Sequence, residues 1–445
     1  MAKILIKNGL VINRGLSKEL DVLIQEDRII KVDRDISDAA AKVYDASGKW
    51  VMPGIIDDQV HFRQPGLTHK ANIYTESRAA LAGGVTSFME MPNTKPPAVT
   101  QSKLEEKYTA AKGSAITNYS FYMGVTNDNI DQVLKTNQEK VCGVKIFMGS
   151  STGNMLVDND KALDEVFSKC PMLIATHCED EETIRKNIAE YKSIGRELSA
   201  SDHPDIRSRQ GCYISSSKAV ALAKKHGTRL HVLHISTKEE LDLFDNTKPL
   251  IDKHITSEAC VHHLYFNDSD YSTLGNKIKC NPAIKSKADQ KAILQAVLDN
   301  RIDVIATDHA PHLNSEKSQP YLNAPSGLPL IQHTLLIMLD FYHQGEITKE
   351  TIVEKMCHAP ADLFRVRDRG YIDDGMKADL IVVDPDKKQL IQKGNLFYKC
   401  QWSPLEGYSF KGEVEKVIVN GVLKYSNGRI RNQSSGERLL FNLKN

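Results

Sequence analysis

Four side chains of the kind that bind borderline divalent metals stand near the ends of four separate apolar runs. His61 closes the run 55–62, His177 the run 172–178, His234 the run 230–236 and Asp308 the run 303–309. Imidazole nitrogen and carboxylate oxygen are the donors that Zn²⁺ and its neighbours select. A single histidine on a strand is usually a core residue with its ring hydrogen-bonded. Recurrence at successive run ends points instead to one shared metal centre. A period of two places Asp57, Gln59, His61 and Arg63 on one face of the first run. The same parity lets only one of His231 and His234 face inward. His234, nearer the run's end, is the candidate ligand, and His231 is expected in the core. Parity also turns Asp308 inward and His309 away.

Lys145 sits among Val144, Ile146 and Phe147 in the run 143–148. An unpaired ammonium there is costly to bury. Three outcomes relieve it. The amine can be neutral and act as a Schiff-base nucleophile. It can snorkel to solvent. Or it can react with CO₂ to give a carbamate, an anion able to bridge two cations. Only the last also accounts for the histidines and the aspartate around it. A second group is suited to hold a substrate. Arg63 follows the first run, and its guanidinium fork matches a carboxylate. Asn93 follows the second run, Asn281 the seventh, and His312 lies just beyond Asp308. Asparagine is also an ordinary turn residue, so each Asn taken alone is unremarkable.

These residues need a scaffold that brings strand ends together. Eight apolar runs, 55–62, 86–91, 119–125, 143–148, 172–178, 230–236, 254–261 and 303–309, alternate with helix-period stretches. That alternation predicts a (β/α)₈ TIM-like barrel, whose active site lies at the C-terminal ends of its strands. A doubly wound sheet is the rival, but the sequence has no Gly-x-Gly-x-x-Gly turn after its first strand. Thr68 is expected to cap a helix running to Gly83-Gly84, and Ser286 one over 287–300. Further helices are expected over 104–112 and 207–226. The two ends read as short strands with turns at Asn8-Gly9 and Asn420-Gly421. They are expected to pair into a small composite β-sandwich domain. The division is then 1–52 and 366–445 for that domain and 53–365 for the barrel, with a polar, loosely held tail from Asn427.

The chain has 445 residues, 41% hydrophobic and 26% charged, which is ordinary for a globular protein. Lys+Arg is 58 against Asp+Glu 57, a net charge of +1. No global field favours nucleic acid or an anionic membrane, so any partner is read by a local site. There is no run of membrane-spanning length. The eight cysteines are scattered, with no Cys-x-x-Cys pair, which fits a reducing cytoplasm. A homodimer is compatible with this composition.

The motifs Met52-Pro53-Gly54-Ile55-Ile56-Asp57, His61-Phe62-Arg63-Gln64-Pro65-Gly66, Met91-Pro92-Asn93-Thr94, His234-Ile235-Ser236-Thr237, Asn281-Pro282, Thr307-Asp308-His309-Ala310-Pro311-His312 and Ala378-Asp379-Leu380 follow one another in this order. Together they resemble the amidohydrolase superfamily and, within it, the dihydroorotases. The resemblance implies a two-metal site, usually zinc. His61 and Asp308 would hold one ion and His177 and His234 the other, with carboxylated Lys145 as the bridge. It implies substrate contacts from Arg63, Asn93, Asn281, His312, Ser326 and Gly327. It implies reversible closure of N-carbamoyl-L-aspartate to (S)-dihydroorotate in pyrimidine biosynthesis, with a bridging hydroxide as nucleophile and Asp308 as general acid and base. Two features depart from the dihydroorotase pattern. Gly143-Val144-Lys145-Ile146-Phe147-Met148 is more similar to hydantoinases and allantoinases. Gln59 stands where the family's first strand carries a histidine ligand, and an amide oxygen is a poor zinc donor. The alternatives are therefore a hydantoinase- or allantoinase-type cyclic amidohydrolase and a non-catalytic paralogue.

Overall fold

The computed structural model of the chain describes residues 3–149 and 155–443. It opens with β1 (Lys3–Asn13), β2 (Leu16–Gln25), β3 (Arg28–Asp33), β4 (Ala41–Asp45) and β5 (Trp50–Pro53). Nine shorter strands follow: β6 (Ile55–Val60), β7 (Val85–Glu90), β8 (Asn118–Phe121), β9 (Met123–Gly124), β10 (Val144–Phe147), β11 (Ile174–His177), β12 (Leu230–Val232), β13 (Ile255–Cys260) and β14 (Val304–Ala306). β15 (Leu380–Leu390), β16 (Ser409–Val419), β17 (Val422–Ser426) and β18 (Arg429–Ile430) end the chain.

Strands β6–β14 form the barrel. They lie in two parallel arcs, β6-β7-β8 and β9 through β14. A bridge from Val60 to His309 and a 2.7 Å hydrogen bond from His61 N to His309 O join the first strand to the segment after the last. All eight expected runs carry strands. The third divides at Tyr122, whose buried phenol donates to Asp58 O at 3.0 Å. The strands are buried on both faces, which is why they read as continuous apolar runs. Ile56, Met89, Tyr122, Leu173, Leu233 and Val304 pack inside the ring, and a larger core fills the space between strands and helices.

The helices begin at caps, and one cap and one helix start differ from expectation. Asn72, not Thr68, starts the first barrel helix, Ile73–Ala82. Its side chain accepts from Thr75 N while Thr75 Oγ1 accepts from Asn72 N, a reciprocal pair that Thr68 does not have. The residues before Asn72 are released as a loop. Thr100 caps Gln101–Lys112, three residues ahead of the expected start. Ser286 does cap Lys287–Leu298, paired with Asp289. Arg209–His226 ends at Gly227 with φ 69°, a left-handed stop.

Both chain ends enter one mixed sheet of nine strands, with β5 hydrogen-bonded between β1 and β15. Ile6, Val22, Val51, Leu380 and Ile418 from five of its strands meet in one apolar cluster. Asn420-Gly421 makes the β16–β17 turn with both residues at positive φ, 51° and 72°. Asn8-Gly9 does not turn the chain. It forms a bulge inside β1, where the register with β2 shifts between Ile6 and Gly9. The β1–β2 hairpin turns at Arg14-Gly15 instead. The tail is also docked rather than loose. Leu439 and Phe441 are buried, and Phe441 N donates to Glu139 O at 3.0 Å. Residues 444 and 445 lie outside the described residues. Among the described residues, no helix is long and apolar enough to cross a membrane.

The Arg14 turn is pinned to the barrel by His358. Arg14 N donates to His358 Nε2 at 2.9 Å, and His358 Nδ1 donates to Gly370 O at 2.6 Å. Burial lowers the imidazole from 6.5 to about 4, with the Arg14 guanidinium pushing the same way and Asp373 opposing. The unfolded chain takes up this proton near 6.5 and the folded chain only near 4, so the stability tied to neutral His358 is complete above pH 6.5 and is lost as pH falls towards 4. The loss from this group reaches about 3 kcal/mol. The thermal midpoint of His358→Gln should therefore fall less steeply between pH 6.5 and 4 than that of the unaltered protein. Parallel slopes in the two proteins would remove His358 from the account.

Candidate active site

A cavity of about 490 Å³ opens where the barrel strands end. Gln59, His61, Lys145, His177, His234 and Asp308 line one part of it, and Arg63, Asn93, Asn281, His312, Ser326 and Gly327 another. Every residue predicted for the site thus reaches one cavity. They arrive by different routes. Lys145 lies within β10 and His177 ends β11. His234 and Asp308 lie beyond the last residues of β12 and β14, at φ 41° and 44°, and Arg63 beyond β6 at φ 70°. Left-handed backbone at non-glycine residues is strained and gathers at functional sites. Here it swings three side chains into the cavity.

That backbone overturns two parity expectations. His231 and His234 both point inside the barrel, His231 lower down between Asp58 and Glu258 and His234 at the mouth. A two-residue period ends with the strand at Val232. Asp57 does not share the face of Gln59, His61 and Arg63, because the register breaks between Asp57 and Val60. Its carboxylate is held by Thr307 Oγ1 at 2.6 Å, and Asp58 takes the inward place. His309 faces away as expected, 2.9 Å from Glu76 on the outer helix.

Two pairs of donors confront each other. His61 Nε2 is 3.1 Å from Asp308 Oδ1, and its Nδ1 is 2.8 Å from Asn93 Oδ1. An amide oxygen can only accept, so Nδ1 carries the proton. Burial lowers the pKa of His61 despite the carboxylate beside it, which leaves Nε2 as a lone pair aimed at Asp308. On the other side, His177 Nδ1 is 2.9 Å from His234 Nε2. His177 Nε2 is 3.0 Å from Glu179, which also pairs with Arg207. Burial pushes Glu179 up, but Arg207 and His177 overcome it and keep the carboxyl at about 2. Glu179 is therefore ionised, His177 donates to it from Nε2, and Nδ1 is left as the lone pair facing His234. A second group that orients each ring through its other nitrogen is what metal-binding histidines have.

Lys145 completes the set. Its Nζ is buried with no hydrogen-bond partner, 4.7 Å from the Phe147 ring centre. Burial lowers it to about 7. A lone pair facing a carboxylate, an orphaned amine and an all-N/O donor set fit divalent cations. Gln59 does not add an imidazole. Its Oε1 accepts from the Cys260 thiol at 3.7 Å.

The opposite wall is basic. Arg63 is nine-tenths buried or more by exposure, and burial lowers its pKa only to about 10, so it stays charged. Its Nε donates to Pro311 O, and its Nη2 is 2.9 Å from His312 Nε2. His312 is held well below the usual value by burial and by Arg63, Lys70 and Lys317, and so is neutral. Gly327 has φ 128°, and a Cβ there would meet Ala310 O at 2.6 Å. Sequence reasoning missed Lys70, which lines the cavity and lies 2.9 Å from His312 Nδ1. A helix expected from Thr68 hid it. It also missed Glu179, whose signal was its place two residues after His177, and the buried pair His262 and His263 beyond β13.

The model for the amidohydrolase family matches residues 50–424. The chain is 33% identical to a dihydroorotase of Halobacterium salinarum over 360 residues, which is 80% of this chain and 82% of that protein. It is 31% identical to the dihydroorotase of Anoxybacillus flavithermus, covering 96% of this chain and 100% of the other. Among solved structures, the L-hydantoinase (dihydropyrimidinase) of Arthrobacter aurescens superposes with a TM-score of 0.93 at 25% identity, over 99% of this chain and 100% of that one. The D-hydantoinase of a Thermus species shares the fold, with a TM-score of 0.87 at 23% identity. A family model spanning both the barrel and the strands that clasp it, on a chain whose strand ends converge as described, makes this protein a member of the amidohydrolase family.

Proposed function

We propose that the chain is a dihydroorotase, interconverting N-carbamoyl-L-aspartate and (S)-dihydroorotate. The observation that carries this reading is the buried, charged Arg63 beside neutral His312 on the wall facing the donor set. That wall suits a substrate whose ring carries a carboxylate. The names of the relatives at about 30% identity support it.

His61 and Asp308 would hold one zinc ion and His177 and His234 a second. Lys145, once its neutral amine has added to CO₂ with loss of a proton, would stand between them as a carbamate. When bound, the ions would supply an activated water and polarise the ring carbonyl. Everything else falls to the chain. Arg63 clamps the substrate carboxylate. Asn93 has its oxygen committed to His61, so it offers that carboxylate its N–H donors. Asn281 and His312 orient the ring, with the Ser326-Gly327 backbone closing the pocket beside them. Asp308 takes the proton from the attacking water and returns it to the ring nitrogen as the C–N bond breaks. Ring closure runs through the same groups in reverse.

A hydantoinase is the second reading, favoured by Lys145 and by the close superposition on the L-hydantoinase. Dihydroorotate, hydantoin and allantoin assayed side by side separate the two. Turnover of dihydroorotate alone is expected, preference for hydantoin replaces the reading, and no turnover by zinc-loaded protein points to a non-catalytic paralogue. Arg63→Ala should raise KM for dihydroorotate roughly 10- to 150-fold, the equivalent of about 1.5–3 kcal/mol for a charge-assisted contact. Its zinc content should be unchanged. Asp308→Asn should lose turnover while keeping its circular dichroism spectrum. Zinc uptake by metal-stripped protein should quicken with bicarbonate, and Lys145→Gln should not respond to bicarbonate at all.

A further inference from the structure

Asp58, His231 and Glu258 come from β6, β12 and β13 and meet inside the barrel, and none of the three is exposed to solvent. His231 Nε2 lies 3.4 Å from Asp58 Oδ2 and 3.6 Å from Glu258 Oε2. These are not hydrogen bonds, and both oxygens of Asp58, Nε2 of His231 and Oε2 of Glu258 have no hydrogen-bond partner. The barrel shows what a buried imidazole–carboxylate pair does when a proton joins it. His309 Nε2 and Glu76 Oε2, equally buried, close to 2.9 Å. The wider spacing at His231 matches donors around one cation. Bonds of about 2.0–2.2 Å in a tetrahedral arrangement hold their donors roughly 3.3–3.6 Å apart.

The hydrogen bonding behind the three residues points the same way. Thr256 Oγ1 donates its only proton to Leu230 O at 3.1 Å, so towards His231 Nδ1, 2.9 Å away, it must accept. Nδ1 therefore carries a proton, and Nε2 is the ring atom turned towards the two carboxylates; against the lowering by burial, Asp58 and Glu258 raise the imidazole to about 9, so a bound cation would take the place of the Nε2 proton. Glu258 Oε1 is occupied by His234 N at 3.1 Å and by the Cys260 thiol at 3.3 Å. Oε2 is the oxygen left to face inward. All ligand atoms lie within 4.8 Å of one another.

We propose that Asp58, His231 and Glu258 form a divalent-cation site inside the barrel, separate from the cavity donors and adjoining them through Gln59 and Cys260. Two carboxylates, an imidazole whose Nε2 proton has been displaced, and a dication sum to zero charge, which suits a place closed to solvent. One nitrogen and two oxygens suit zinc, manganese or ferrous iron. The site does not depend on what the cavity catalyses.

Crystals of the full chain grown with Zn²⁺ test this by anomalous scattering at the zinc edge. A peak among Asp58, His231 and Glu258 is the expected result. Peaks only at the cavity donors, only at Cys260, His262 and His263, or nowhere, overturn the proposal and leave the three residues as a proton-sharing network. Metal analysis after dialysis against a mild chelator gives a second reading. Asp58→Asn should retain one equivalent fewer than the unaltered protein. Equal metal content in a folded variant contradicts the site. Should that variant not fold, the anomalous map decides alone. Failure of the dihydroorotate assay would leave either metal result standing.

Discussion

Electron pairs aimed at one another where water is excluded repel unless something positive stands among them. The mouth of this barrel is arranged around that condition. His61 Nε2 faces the Asp308 carboxylate, and His177 Nδ1 faces His234 Nε2. Outer partners decide these orientations. Asn93 fixes the proton on His61, and ionised Glu179 fixes the one on His177. At His61 the ring could otherwise turn or shift its proton and relieve the conflict with an ordinary hydrogen bond, whereas His234, whose Nδ1 has no partner, is free to donate from Nε2 to His177. The barrel instead holds the conflict at His61 open, and a divalent cation is the chemistry that would resolve it.

The basic wall follows from the same burial. Arg63 remains charged although buried because its Nε is anchored on a backbone carbonyl and carboxylates lie within electrostatic reach. His312 remains neutral because it is buried and cations surround it. A substrate carboxylate arriving there exchanges water for a preorganised donor set. The donors that would activate water and the donors that would bind an acid thus share one cavity but differ in sign.

The composite sheet holds the frame. β5 lies between strands from the two ends of the chain and leads through Gly54 directly into β6, the strand that carries Asp58, Gln59 and, just beyond it, His61. Gly54 N donates to Asp379 O at 2.9 Å, and a Cβ at Gly54 would strike the Thr86 side chain. Only glycine lets the first barrel strand start so close to its neighbour. The sheet therefore sets where β6 begins, and through it where the first donors stand.

Much of this was legible in the sequence. Doubly buried parallel strands leave eight continuous apolar runs, and His61, Lys145, His177, His234 and Asp308 mark run ends or interiors by residue type alone. Asn420-Gly421 announced its turn because only a few residue pairs tolerate two left-handed conformations. What the sequence left unread was decided by backbone geometry and by partners remote along the chain. Periodicity describes a strand only while it lasts, so it allowed only one of His231 and His234 to face inward and gave Asp57 the face of the cavity. Lys70 joined the site because Asn72, not Thr68, found a reciprocal cap. Residue types and their order therefore set which atoms could bind a cation or an acid. Tertiary structure alone determined which lone pairs face each other, because ring orientation depends on hydrogen bonds to residues far away in the chain, and no local pattern encodes them.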